Sequence, residues 1–90
     1  MLNSPPVITS SPPTSVTGNT YLYQVRANDP DNDPLKFSLK SSPKGMGIDK
    51  TTGLIRWEVR KEDEGSHPVE IEVSDNGGEI GLQSYTLEVK

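Results

Sequence analysis

HPVEIEVSD, residues 67–75, alternates Val69, Ile71 and Val73 with Glu70, Glu72 and Ser74. A period of two puts the apolar residues on one face of a β-strand and the polar ones on the other, whereas a helix would need apolar residues every three to four positions. The same alternation extends in both directions. Beyond the Asn76–Gly77–Gly78 turn, LQSYTLEVK (82–90) turns Tyr85, Leu87 and Val89 inward. Upstream, LIRWEV (54–59) does so with Ile55, Trp57 and Val59, preceded by MGID (46–49) and a DKTTG turn. LKFSLK (35–40) sets Leu35, Phe37 and Leu39 against Lys36, Ser38 and Lys40, and TYLYQVRA (20–27) aligns Tyr21, Tyr23, Val25 and Ala27. The Pro/Ser-rich stretch NSPPVITSSPPTS (3–15) holds one apolar pair, Val7–Ile8, which suits an extended lead-in and an edge strand, where proline is tolerated. No window shows a helical stripe. Seven short strands separated by turn residues predict an all-β protein, a seven-stranded Greek-key β-sandwich. Phe37, Ile55, Trp57, Ile71, Val73 and Leu87 are its expected core.

Composition narrows the function classes. Ninety residues make a single domain, read here as 1–90 with 1–6 as an inter-domain linker. A net charge of −4 and the lack of a basic stripe argue against nucleic acid and anionic membranes and leave a cation as a partner. No stretch is long enough to insert in a bilayer. The absence of cysteine removes disulfides, thiolate metal sites and a Cys nucleophile. Met1 running almost directly into a Pro/Ser-rich segment reads as the start of an excised piece, so any export signal or anchor would lie outside it.

The chemistry of the chain centres on ANDPDNDPL (27–35), with Asp29, Asp31 and Asp33 at every second position. An EF-hand loop starting at Asp29 would need Gly at its sixth position and Glu at its twelfth; here these are Pro34 and Lys40, and no helices flank it. In a sandwich whose strands alternate up and down, the B–C turn that holds these aspartates lies at the same pole as the F–G turn, which opens at Asp75–Asn76. Asn3 enters at that pole. Asp29, Asp31 and Asp75 would then converge, with Asn3 as a neutral oxygen donor. Three carboxylates and an amide make about half of the six to eight oxygens that calcium takes. The alternative is that the aspartates only cap turns, as Asx side chains do by accepting backbone hydrogen bonds two residues on. Asp33 and Asp49 fit that role best.

The patterns A-x-D-x-D…L-x-F-S-L, G-I-D-x-x-T-G-x-I-x-W, V-x-I-E-V-S-D-x-G-G and Y-x-L-x-V, in this order from Asn3 to Val89, resemble a cadherin-like repeat of the dystroglycan-type and bacterial putative-Ig modules. The resemblance implies an immunoglobulin/cadherin-like sandwich used as a tandem repeat in cell adhesion, with calcium between successive domains. By it, Asp29 and Asp31 match the Asp-x-Asp pair, Asp75 the aspartate ending strand F, and Asn3 the linker asparagine. These would be the downstream half of a metal site, weak without its upstream neighbour. Two departures stand out. TSSPPTS (9–15) lacks the family's Glu, and Lys61-Glu62-Asp63-Glu64 replaces its Leu-Asp-Arg-Glu, so the opposite pole is degraded as a calcium site.

Catalysis finds no support: one histidine, His67, has no partner in sequence, and no nucleophile–base pair or phosphate loop is present. Glu62, Asp63 and Glu64 read as a solvated acidic loop, and Trp57 as a core aromatic. The expected function is a non-catalytic structural or adhesion repeat of a multidomain surface or secreted protein. Its partners would be neighbouring domains of the same chain or a second copy. The alternative is a recognition module for a glycan or protein partner.

Overall fold

The computed structural model describes residues 5–16, 18–29, 34–75 and 77–90. Among these, nine strands form: β1 (Val7–Ile8), β2 (Ser15–Val16), β3 (Thr20–Gln24), β4 (Ala27–Asn28), β5 (Lys36–Ser41), β6 (Gly47–Ile48), β7 (Leu54–Glu58), β8 (Gly65–Ser74) and β9 (Ile80–Val89). One layer is the four-stranded sheet β2-β9-β8-β5. The other comprises β3-β7-β6 and the β1-β4 pair. The fold is the expected β-sandwich, with two of its strands broken. The lead-in divides into β1, antiparallel to β4, and β2, parallel to β9, because Pro12 and Pro13 offer no N–H to a ladder between them. The second strand breaks at Val25–Arg26, where pairing passes from β7 to β1.

Inward parity is as the alternation predicts. Ile55, Ile71, Val73 and Leu87 are completely buried and Trp57 nearly so, with Phe37, Tyr21, Tyr23, Val25, Val59, Val69 and Val89 around them. β8 is the spine of this core, paired with β5 through Glu70–Ser74 and with β9 along its whole length. Pro68 falls outside the β5 pairing, where β8 has a ladder neighbour on one side only. Gly53, at φ +78°, closes the DKTTG turn; a Cβ there would lie 3.0 Å from the Val25 carbonyl oxygen and 3.1 Å from the Phe37 ring. A side chain is excluded on both backbone and packing grounds.

The crossover between β1 and β2 is tied to the core by side chains. The Arg26 N–H donates to Ser10 Oγ (2.9 Å), Ser10 Oγ lies 2.6 Å from the Tyr23 hydroxyl, and Tyr23 donates to Gln83 Oε1 (2.7 Å). Gln83 Nε2 returns to the Ser10 carbonyl (2.8 Å) and closes the circuit. Beside it the Tyr21 hydroxyl donates to the Pro13 carbonyl (2.9 Å) and lies 2.9 Å from that of Tyr85. Every polar atom of this part-buried group has a partner, as burial requires.

Two outcomes follow for stability. Trp57→Ala should cost about 3–5 kcal/mol, the usual range for deleting a large buried aromatic, read from denaturant midpoints. Burial raises the Tyr21 pKa above its ordinary value of 10.0, and that of Tyr85 likewise. Their contribution is therefore complete below about pH 10 and is lost as the unfolded chain ionises above it. Stability should fall more shallowly with alkaline pH in Tyr21→Phe than in the parent; equal slopes would contradict the buried, protonated hydroxyl.

Candidate functional site

Asp29 and Asp75 continue the inward-facing series of their strands by one step, after Ala27 and Val73 respectively. Both are buried, at 6% and 9% exposure, so carboxylates replace aliphatic side chains where the core reaches its end. The backbone brings these two strand ends together. β1 places Val7 opposite Asn28, so Pro6 and Asp29 are the next residues outward on that pair. In the β8–β9 ladder Val73 faces Gly81, two residues before Asp75. Pro6 is itself buried, and a Cβ on Gly81 would overlap its carbonyl oxygen. Glycine at 81 is what lets the N-terminal segment lie against β9 beside both aspartates. A lone glycine at an inward position of a strand signals such a close approach, and Gly81 could have been singled out on that ground.

Asp75 also shapes its turn. Its Oδ1 accepts from the N–H groups of Gly77 (2.8 Å) and Glu79 (2.9 Å), and its own N–H donates to the Glu79 carbonyl (3.1 Å). A carboxylate offers two oxygens with about four lone-pair sites, so turn capping through Oδ1 does not exclude metal binding. Asn3 and Asp31, the other expected metal ligands, and Asp33 lie outside the described residues. Among the described residues no group of three or more His, Asp or Glu side chains is placed to hold a metal ion.

The other acidic positions are structural. Asp49 Oδ1 accepts from the N–H groups of Thr51 (2.8 Å) and Thr52 (2.9 Å), and these bonds, Thr52's foremost, hold its carboxyl below the usual range. At the opposite pole Lys61–Asp63 form one turn of 3-10 helix. Glu62 and Glu64 are exposed as expected of a solvated loop, but Asp63 is not merely solvated. Its Oδ2 accepts from the Arg60 N–H (2.8 Å), and its carbonyl accepts from His67 Nε2 (2.6 Å). The His67 ring stands edge-to-face on Trp57 at 5.3 Å, which makes the single histidine a packing residue. The exposed Arg60–Glu62 pair, at 3.9 Å, contributes little.

A sequence profile of the family described as "Putative Ig domain" matches residues 5–90. The chain belongs to that family. No curated protein matches it. Among solved structures it is similar to human protocadherin-24 EC1-2, at 24% identity over 99% of this chain and 44% of that one, with a TM-score of 0.74. It is similar also to Drosophila N-cadherin EC1-4, at 16% identity over 98% of this chain and 25% of that one, with a TM-score of 0.81. A third is a Bacteroides fragilis chain described as a "putative alpha-galactosidase", at 16% identity over 98% of this chain and 18% of that one, with a TM-score of 0.75. The domain thus spans less than half the length of each of these chains. They share its cadherin-like, Ig-like sandwich, which recurs in chains of quite different description.

If Asp75 closes its turn through Oδ1, Asp75→Asn should keep stability within about 1 kcal/mol, because the amide oxygen can still accept. Asp75→Ala should lose about 1–3 kcal/mol by leaving two N–H groups unpaired. Urea unfolding distinguishes them, and equal losses would contradict the turn role.

Proposed function

We propose that this Ig-like domain is a non-catalytic structural or adhesion repeat of a multidomain surface or secreted protein. In this reading Asp29 and Asp75, with Asp31 and Asn3, form the downstream half of a calcium site at the junction with a preceding domain. The observation that carries it is the burial of two sequence-distant carboxylates at the pole where the N-terminal segment packs. Like charges held together out of water are costly unless a cation or hydrogen bonds compensate them. The rod-like form suits a spacer: the Cα envelope measures 50 × 18 × 17 Å. Residue 6 lies at the Asp29–Asp75 pole, and Lys90, whose N–H donates to the Val16 carbonyl, lies at the other.

The same features weigh against a glycan platform and against catalysis. All five aromatic side chains (one Trp, one Phe and three Tyr) lie at inward positions. The exposed large apolar residues, Val7, Leu22, Leu54, Ile80 and Leu82, are aliphatic and offer no ring for a sugar to stack on. His67 is engaged with Asp63 and Trp57. Among the described residues no helix is long and apolar enough to cross a membrane, and a place outside the cell rests on the adhesion reading.

The test is the melting temperature in chelator against roughly ten millimolar calcium. An extracellular-type site with Kd near ~1 mM would add about 1.4 kcal/mol there, a rise of roughly 5–10 °C for a domain of this size. Asp31→Asn should abolish that rise while leaving the metal-free domain as stable or slightly more so. Identical melting with and without calcium would retire the metal reading for the domain on its own.

A further inference from the structure

The two poles and the parallel pairing of β2 with β9 define how this domain meets a pull. A tether at residue 5 draws β1 and β2 toward the Asp29–Asp75 pole, and a tether at Lys90 draws β9 the opposite way. Ser15 lies opposite Glu88 and Val16 opposite Val89, with the strands running in the same direction. The load therefore slides one strand along the other. It falls at once on the Glu88 N–H bond to the Thr14 carbonyl (2.8 Å) and the Lys90 N–H bond to the Val16 carbonyl (3.0 Å).

Those backbone links are few. β1 and β2 are two residues long each, and the prolines between them preclude a continuous ladder. What spans the gap is the side-chain circuit. Ser10 is bonded through its Oγ to the Arg26 N–H and the Tyr23 hydroxyl, and through its carbonyl to Gln83 Nε2. Pro13 is held by the Tyr21 hydroxyl. Tyr21 and Tyr23 sit on β3 and Gln83 on β9, so the crossover is fastened to both sheets at once. The groups are part-buried, which shields them from competing water and strengthens each bond.

We propose that Ser10, Tyr23 and Gln83, with the Tyr21–Pro13 bond, form a tension clamp that holds the N-terminal crossover against a pull along the long axis. Its biological use rests on the spacer reading; its existence is a property of the domain alone. Because the chain has no cysteine, paired cysteines give defined attachment points for force spectroscopy. Pro5→Cys with Lys90→Cys applies the axial pull. Lys50→Cys with Lys61→Cys pulls on the turns flanking β7 and leaves the crossover unloaded. Tyr23→Phe removes both bonds of the hydroxyl, to Ser10 and to Gln83. Under constant axial force it should unfold about thirtyfold faster than the parent, the factor that losing two hydrogen bonds near ~1 kcal/mol each produces. Between positions 50 and 61 the two should unfold at nearly the same rate. Ser10→Ala repeats the comparison without touching a core ring, should Tyr23→Phe fold poorly. Equal acceleration in both geometries would reduce the circuit to a general stabiliser, and no axial acceleration would overturn it outright. A spacer that failed to engage a neighbouring domain would leave these rates unchanged, so the two readings fail separately.

Discussion

Two sheets that share one apolar core must be joined somewhere, and the joining segment cannot leave buried N–H or C=O groups without partners. In this domain that constraint falls on residues 9–14, which carry the chain from β1 to β2 and from one sheet to the other. Prolines make a ladder impossible there, so hydroxyls and an amide replace it. The Thr9 N–H donates to the Arg26 carbonyl (2.8 Å), the Ser10–Tyr23–Gln83 circuit follows, and the Thr14 carbonyl accepts from Glu88. Tyr21 and Tyr23 thereby fill the core as phenylalanine would and also satisfy the crossover, which phenylalanine could not.

The poles follow from the same arrangement. With the N-terminal segment fastened beside β9 through Gly81, the inward faces of β4 and β8 end in Asp29 and Asp75. A core that terminates in carboxylates faces two demands, to keep water out of the aliphatic layer and to compensate the charge. The Asp75 turn bonds meet part of this, and the proposed cation would meet more. At the far pole Asp63 caps a backbone turn and His67 packs against Trp57.

Much of this was legible beforehand, for physical reasons that differ by element. The inward series of β7, β8 and β9 are long enough for period two to be unambiguous, and every expected core residue from Phe37 to Leu87 is buried. Asp49 as a turn former and Trp57 as a core ring followed from local rules. Asp63 did not, because a short acidic run looks alike whether its carboxylates face water or cap a backbone turn. Nor did Ser10 and Gln83, whose partners are 13 to 73 residues away. Of the expected ligands, Asp29 and Asp75 lie at one pole, while Asn3 and Asp31 fall outside the described residues.

Alternation together with the lack of any helical stripe determined the fold class, since a chain of strands alone can bury their apolar faces only by packing sheet on sheet or closing a sheet on itself. It determined as well which face of each strand is core, and that Asp29 and Asp75 stand at inward parity. Tertiary structure decided where the first strand breaks, because that depends on which partner supplies bonds when prolines cannot. It also decided that Gly81 makes room for Pro6, and that tyrosines on β3 reach a loop and a glutamine far along the chain. Those are relations between segments remote in sequence, and no local pattern carries the distance between them.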